Sequence, residues 1–305
     1  LATDIYLNHL RFLNYIDEVA RCGSIRQAAE RLHVAASAVN RRLIDIEEEL
    51  GTPLFERLPR GMRLTTAGEL FIQYIRERGA ALDQVRSTIE DLKGLRRGVV
   101  RITASQALAP EFLPATLSEF KRDHRLVDFQ VLISDRTQAL AALRNYEYDL
   151  ALTFNLDADL DIEILASVEQ RLMVLMHHTH PLAASGHAIR LRQCMEYPIV
   201  LADPDVGGRQ LLDGWLQKTS HRIAPVIQSN SFEFLRACLA YDQALTFQIA
   251  LGAFNHGGEL VAREIEDRGF PRGNLVLAHL KGRSLPVAAS AFAHHVQNRL
   301  LGNSS

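Results

Sequence analysis

Residues 24–51 read SIRQAAERLHVAASAVNRRLIDIEEELG, and their spacing predicts two short helices joined by a tight turn. Ser24 is an N-cap candidate with Gln27 three residues on, the separation at which two side chains satisfy orphan N–H groups of a first turn. Ala28 and Ala29 let a second helix cross closely. After a break at His33-Val34-Ala35, the residues Val39, Leu43, Ile46 and Leu50 form one apolar stripe, and Gly51 stops the helix as a left-handed cap. Opposite the stripe stand Ser37, Asn40, Arg41 and Arg42, side chains suited to phosphates and base edges near the N-terminal half of a DNA-reading helix. Glu47, Glu48 and Glu49 are expected to face solvent at its far end.

The flanks support the same pattern. Phe12, Ile16, Val19 and Ala20 supply the inner face of a third helix, enough to close a small core. Downstream, Pro53-Leu54-Phe55 leads into two short strands around a turn containing Pro59 and Gly61, a wing. Arg57, Arg60 and Arg63 lie on it with no acid among them, a composition suited to a phosphate backbone or minor groove. A solvated surface turn would have the same composition.

The stretch AAERLHVAASAVNRRLIDIEEELGTPLFERLPRGMRLTTAGE, residues 28–69, resembles the N-terminal signature of the LysR-type transcriptional regulators. Arg41, Pro53, Leu54, Phe55, Arg57, Arg60, Leu64, Thr65 and Gly68 match the pattern. Ala36 stands where that family usually has Gln, and Asn40 where it has Ser. Both departures fall on expected base-contact positions. The resemblance implies a partner of double-stranded DNA, recognised as an interrupted inverted repeat.

Composition agrees with a two-part chain: 305 residues with 47% hydrophobic content suffice for sizeable cores. No segment is apolar long enough to span a bilayer, and Leu1-Ala2-Thr3-Asp4 lacks an export signal, so cytoplasm is the expected location. Residues 1–97 hold 15 Lys+Arg against 14 Asp+Glu, and the rest 19 against 22, so net charge does not announce DNA binding. The basic character is local.

Thr66, with Glu69 as a capping-box partner, is expected to open a helix running to about Leu95. Ile75, Leu82 and Ile89 repeat every seven residues, and Phe71, Val85 and Leu92 form a second row interrupted by Arg78, giving a coiled-coil-like seam. Pairing with a second copy of the chain would bury it; packing on its own domain is the alternative. Gly94 and Gly98 make a hinge candidate.

From Val99 onward strands alternate with helices, which predicts parallel sheets in an α/β domain. Strands are expected at 99–104, 129–133, 149–154, 172–176, 199–201, 226–228, 244–247, 260–263 and 275–280. Helices are expected at 110–121, 137–145, 209–216, 232–240 and 286–300. The family resemblance implies a two-lobed, periplasmic-binding-protein-like effector domain. The expected division is a winged helix-turn-helix at 1–66, a linker dimerisation helix and hinge at 67–97, and the effector domain at 98–305. Lobe I would be about 98–167 with 267–305, and lobe II about 168–266.

Ligands of open α/β sheets sit at strand C-termini against helix N-termini. Four loops qualify: Ser105-Gln106, Ser134-Asp135-Arg136-Thr137, Asp205-Val206-Gly207-Gly208-Arg209 and Asn230-Ser231. By resemblance, Ser105, Gln106, Arg136, Thr137, Gly207, Arg209, Ser231 and Gln248 are candidates for holding a small polar or anionic metabolite, with Arg136 and Arg209 in reach of a carboxylate. Taken singly, Ser and Thr here are as well explained as helix caps. The resemblance further implies a homodimer, a homotetramer and contact with RNA polymerase.

Catalysis is not expected, for no nucleophile elbow, phosphate loop or metal-ligand pair organises Asp203, Asp205 or His180; no cofactor or metal is expected either. Cys22, Cys194 and Cys238 are too scattered for a zinc motif or a disulfide framework, and His177-His178-Thr179-His180 reads as a strand running into a turn. Two alternatives stay open: an architectural DNA-binding or oligomerising protein without an effector, and a redox-responsive regulator using Cys194 or Cys238.

Overall fold

The computed structural model describes residues 2–59, 61–92, 97–156, 161–185, 188–204, 206–253 and 258–302. Of the positions singled out in the sequence, Leu1, Arg60, Gly94, Leu95 and Asp205 lie outside the described residues. The chain divides into two units, residues 1–86 and 87–305.

In the first unit, α1 (Ala2–Cys22), α2 (Ile25–Leu32) and α3 (Ala36–Leu50) precede β1 (Phe55–Leu58), β2 (Gly61–Leu64) and α4 (Thr66–Leu92), whose last residues extend past the unit's end. Ser24 caps α2, its hydroxyl accepting from Gln27 N at 3.4 Å. His33 turns the chain with φ 53°. Ile16, Val19, Ala28, Val39 and Leu43 are fully buried, and Leu54, Phe55, Ile72 and Ile75 close the same core. Buried Asp17 accepts from Arg21 at 2.8 Å and Arg76 at 2.7 Å, tying α4 to α1.

Three local expectations are corrected here. Leu50 ends α3 exposed at 45%, because the helix runs past the apolar stripe before Gly51 caps it at φ 67°. Glu47 is not a solvent-facing acid: its carboxylate accepts from Leu54 N at 2.6 Å and Phe55 N at 3.2 Å, fixing the entrance to the wing. The cap of α4 is Thr65 rather than Thr66; its hydroxyl accepts from Gly68 N at 3.0 Å and donates to Pro53 O at 2.8 Å, so no Thr66–Glu69 box forms.

The second unit contains β3 (Arg97–Ala104), α5 (Phe112–Asp123), β4 (Leu126–Ile133), α6 (Arg136–Arg144), β5 (Leu150–Phe154) and β6 (Ile162–His177). There follow α7 (Leu191–Cys194), β7 (Val200–Ala202), α8 (Gly207–Leu216), β8 (Ile227–Ser229) and α9 (Phe232–Cys238). The unit ends with β9 (Thr246–Ile249), β10 (Leu260–Glu264), β11 (Arg272–Leu280) and α10 (Val287–Gly302). The main sheet has the order β10-β6-β11-β5-β3-β4, with β9 also on β6, and β7 pairs β8 separately.

The parallel expectation holds for β3 with β4 and β5, and for β7 with β8. It fails for the long connecting strands. β6 runs antiparallel to β11 as far as Arg171, then changes partners and runs antiparallel to β9 and β10. The sequence pattern marks only 172–176 of this 16-residue strand, because Glu163, Glu169 and Arg171 interrupt the residues before it; Glu169 and Arg171 lie exposed and pair with Arg272 and Glu264. The one-turn helix α7 is not expected from the sequence; elsewhere element ends move by a few residues, as hydrogen-bonded boundaries do.

Phe292 of α10 is fully buried and meets Phe120 and Phe129 edge-on at centroid distances of 5.2 and 4.9 Å. Asp149 is fully buried, accepting from Arg101 N at 2.9 Å and Arg283 at 2.5 Å. Among the described residues no helix is long and apolar enough to cross a membrane.

Candidate functional site

Helix α3 begins without a side-chain cap at Ala35, so its first N–H groups have no side-chain partner and favour an anion. Ser37 and Arg41 are exposed on this end and Asn40 is half-buried. Arg41 has no polar partner among the described residues, whereas its neighbour Arg42 lies 3.9 Å over the Phe12 ring and 3.3 Å from Asp45. That placement makes Arg42 a strut between α3 and α1 as much as a surface cation.

The wing is joined to the helix. Arg57 Nη2 donates to Asn40 Oδ1 at 3.1 Å. Across the hairpin, Glu56 and Arg63 stand opposite each other and form a two-pronged pair of 2.7 and 3.3 Å. An acid therefore does accompany the wing arginines, one residue outside the stretch from Arg57 to Arg63. Arg60, expected at the tip, is one of the positions outside the described residues.

In the second unit a cleft of about 440 Å³ opens at the C-terminal ends of β3, β4, β5 and β7, lined by Ser105, Gln106, Ser134, Asp135, Arg136, Gln138, Thr153, Asp203 and Asn230, with Ile133, Phe154 and Val206 as its apolar walls. Parallel strands bring their carboxyl ends to one edge, which is why these loops converge. Gln106 bridges the cleft. Its Nε2 donates to Asn230 O at 2.8 Å and its Oε1 accepts from Phe232 N at 3.0 Å, so one amide of the β3 loop grips the start of α9.

The sequence candidates divide sharply. Ser105, Gln106 and Arg136 line the cleft, Arg136 donating to Asn155 O at 3.1 Å. Thr137 is exposed on α6 and does not line it; the cap of α6 is Asp135, whose carboxylate accepts from Gln138 N at 2.8 Å. Gly207 opens α8 next to the lining residue Val206. Arg209 is not among the lining residues and is occupied, held by Asp213 at 2.8 Å and Ala202 O at 3.0 Å. Ser231 spends its hydroxyl capping α9, accepting from Phe234 N at 3.2 Å. Gln248 is enclosed in β9, 2% exposed, with both amide atoms unpartnered among the described residues.

Thr153 escapes the sequence reading. It is 3% exposed near the end of β5, pairs through its backbone register with Val276 of β11, and lines the cleft. Its only signal in the sequence is a polar residue inside the run Leu150-Ala151-Leu152-Thr153-Phe154. Beside it, the Thr103 and Ser134 hydroxyls bond each other at 2.5 Å.

Groups outside the cleft are engaged elsewhere. Burial, reinforced by Asp267, pushes the Cys194 thiol up to about 12 and keeps it protonated and unreactive; Cys238 is half-buried in α9. His177 bonds Thr179 at 2.7 Å, His178 bonds Glu259 O at 3.1 Å, and His180 accepts from Leu182 N at 3.1 Å. His177 and His180 thus serve the turn after β6, and His178 ties it to the residue before β10.

A winged helix-turn-helix unit and a cleft-bearing α/β unit on one chain define a DNA-binding regulator. The chain belongs to the LysR family of bacterial transcriptional regulators: residues 10–69 match the bacterial regulatory helix-turn-helix protein model of the lysR family, and residues 93–301 match the LysR substrate binding domain. It is 29% identical over 291 residues to a RuBisCO operon transcriptional regulator of Allochromatium vinosum, covering 94% of this chain and 95% of that one. Two full-length structures share the fold. One is an OxyR of Pseudomonas aeruginosa carrying a single cysteine-to-aspartate substitution, with a TM-score of 0.71 and 20% identity over 94% of both chains. The other is CbnR in complex with its target DNA, with a TM-score of 0.64 and 18% identity over 95% of this chain and 99% of that one.

Proposed function

We propose that this LysR-type regulator reads an interrupted inverted repeat in double-stranded DNA and that a small polar metabolite, bound in the cleft at Ser105, Arg136 and Thr153, modulates that reading. The division into 1–66, 67–97 and 98–305 is part of the proposal. Ser37, Asn40 and Arg41 meet base edges or adjacent phosphates in the major groove, and Arg42, Arg60 and Arg63 hold the backbone. The seam of α4 pairs two copies, and two such dimers make the tetramer. The protein works in the cytoplasm, without catalysis, and in company with RNA polymerase.

The observation that carries the effector half is the Gln106 clasp. One side chain spans the cleft to two backbone groups at the start of α9, so a ligand that inserts beside it changes the relation of the two rims. With Arg209 already neutralised by Asp213, Arg136 is the remaining arginine of the two proposed for an anionic group, and the carboxylates of Asp135 and Asp203 face the same space. Ligands that combine a hydroxyl or amine with a carboxylate fit this lining better than dianions.

The test is footprinting of the intact protein on fragments upstream of its own gene, with and without a metabolite panel, together with thermal shifts in the same panel. A metabolite that changes the footprint should stabilise the wild type and lose about tenfold in affinity to Thr153→Val, one neutral hydrogen bond being worth about 1 kcal/mol and its unmade half more. Equal binding to Thr153→Val and Ser105→Ala would remove the ligand from this cleft.

A further inference from the structure

Arg57 of β1 and Asn40 of α3 have no polar partner but each other among the described residues, and Nη2 of the one lies 3.1 Å from Oδ1 of the other. A guanidinium has donors only, so the amide must turn its oxygen to the wing and leave its Nδ2 hydrogens for whatever approaches the helix. An asparagine free to rotate pairs with adenine in two-pronged fashion, donating to N7 and accepting from the N6 amino group. Here Arg57 already takes one of the two acceptor sites of that oxygen and fixes how the amide is turned, so the accepting half of that pair is disfavoured. Donation to a base acceptor is not.

We propose that Arg57 is a positioning residue for base readout: through Oδ1 it holds Asn40 as a hydrogen-bond donor and shifts its preferred contact from adenine to a base presenting acceptors alone, guanine O6 and N7 or thymine O4. This rests on the reading of α3 as the recognition helix. The wing then contributes to sequence selection through a second side chain, beyond any phosphate it holds. A purely electrostatic arginine would act on all sequences alike.

Randomised-site selection with the full chain tests it, using wild type, Asn40→Ala, Arg57→Met, the double variant and Arg57→Lys. Asn40→Ala should flatten the preference at one position of each half-site. Arg57→Met should shift the preference at that same position toward adenine by about tenfold, and should leave base preference unchanged when Asn40 is already alanine. Arg57→Lys, which keeps a donor, should retain the wild-type base. If Arg57→Met instead weakens every sequence by one factor with its preferences intact, or shifts them equally in the Asn40→Ala background, the positioning role is overturned while the recognition helix stands. A wild type that enriches no sequence would overturn both.

Discussion

Gly68 packs so close beneath the carbonyl oxygen of Leu54 that no Cβ fits between them. Thr65 N also donates to that oxygen at 3.0 Å, so the first turn of α4 is clamped to the segment that enters the wing. In an exposed helix, alanine would be favoured over glycine by about 1 kcal/mol. Here the clash is with backbone, which cannot swing aside.

Gly68→Ala should therefore destabilise the first unit by about 1–3 kcal/mol, the usual range for overpacking a closed contact. Chemical denaturation and operator binding would both report it. A midpoint at or above wild type would show that the clamp yields freely.

The Arg283–Asp149 pair joins a side chain 7% exposed to one fully buried, at 2.5 Å. Arg283→Met should cost about 3–5 kcal/mol because it strands a carboxylate in the core. Adding Asp149→Leu should restore much of the loss, since the uncompensated charge goes with it. Trp215, the single tryptophan, lies in this unit and supplies the fluorescence signal; additive losses in the double variant would refute the pairing argument.

His180 is held below its ordinary 6.5 chiefly by burial, and its Nδ1 accepts from Leu182 N, which requires the neutral ring. The unfolded chain then binds the extra proton, so stability is full above pH 6.5 and falls as pH drops from there toward the depressed folded value. His279, also buried and shifted down mainly by burial, adds in the same direction. Melting temperature should fall between about pH 7 and 5, and less steeply in His180→Asn, whose Oδ1 can take the place of the ring nitrogen. An identical slope in that variant would assign the loss elsewhere.

Along α4, Phe71 and Ile75 turn into the first unit's core, while Leu82 is half-buried and Val85, Ile89 and Leu92 are exposed at 53%, 46% and 83%. Burial on pairing would contribute roughly 1.5–3 kcal/mol per such side chain. On the proposed pairing, Leu82→Glu with Ile89→Glu should sediment as a monomer where the wild type does not, and weaken full-operator binding more than half-site binding. Unchanged sedimentation would give the seam another role.

How far the sequence reached follows from the range of the contacts involved. Ser24, His33 and Gly51 begin and end their helices through neighbours within four residues, so the helix-turn-helix was legible from spacing alone. The strand-end loops of the cleft were legible for a similar reason, because alternation of strands and helices dictates where carboxyl ends meet. Ser105, Gln106 and Arg136, named in this way, line the cleft, whereas Thr137 and Arg209, named by the same logic, are not among its lining residues.

What only tertiary structure decided is which polar groups remained available. Arg209 finds Ala202 O at the end of β7, in addition to the local bond to Asp213 one turn along its own helix. Glu47 finds the wing entrance, and Arg63 finds Glu56 through hairpin register. Thr153 comes to line the cleft because β5 ends beside the loops of β3 and β4. Sequence determines what a side chain can bond to, since that is local chemistry; whether it is already satisfied depends on groups brought near from elsewhere in the chain, and a buried polar atom takes the first good partner the fold supplies.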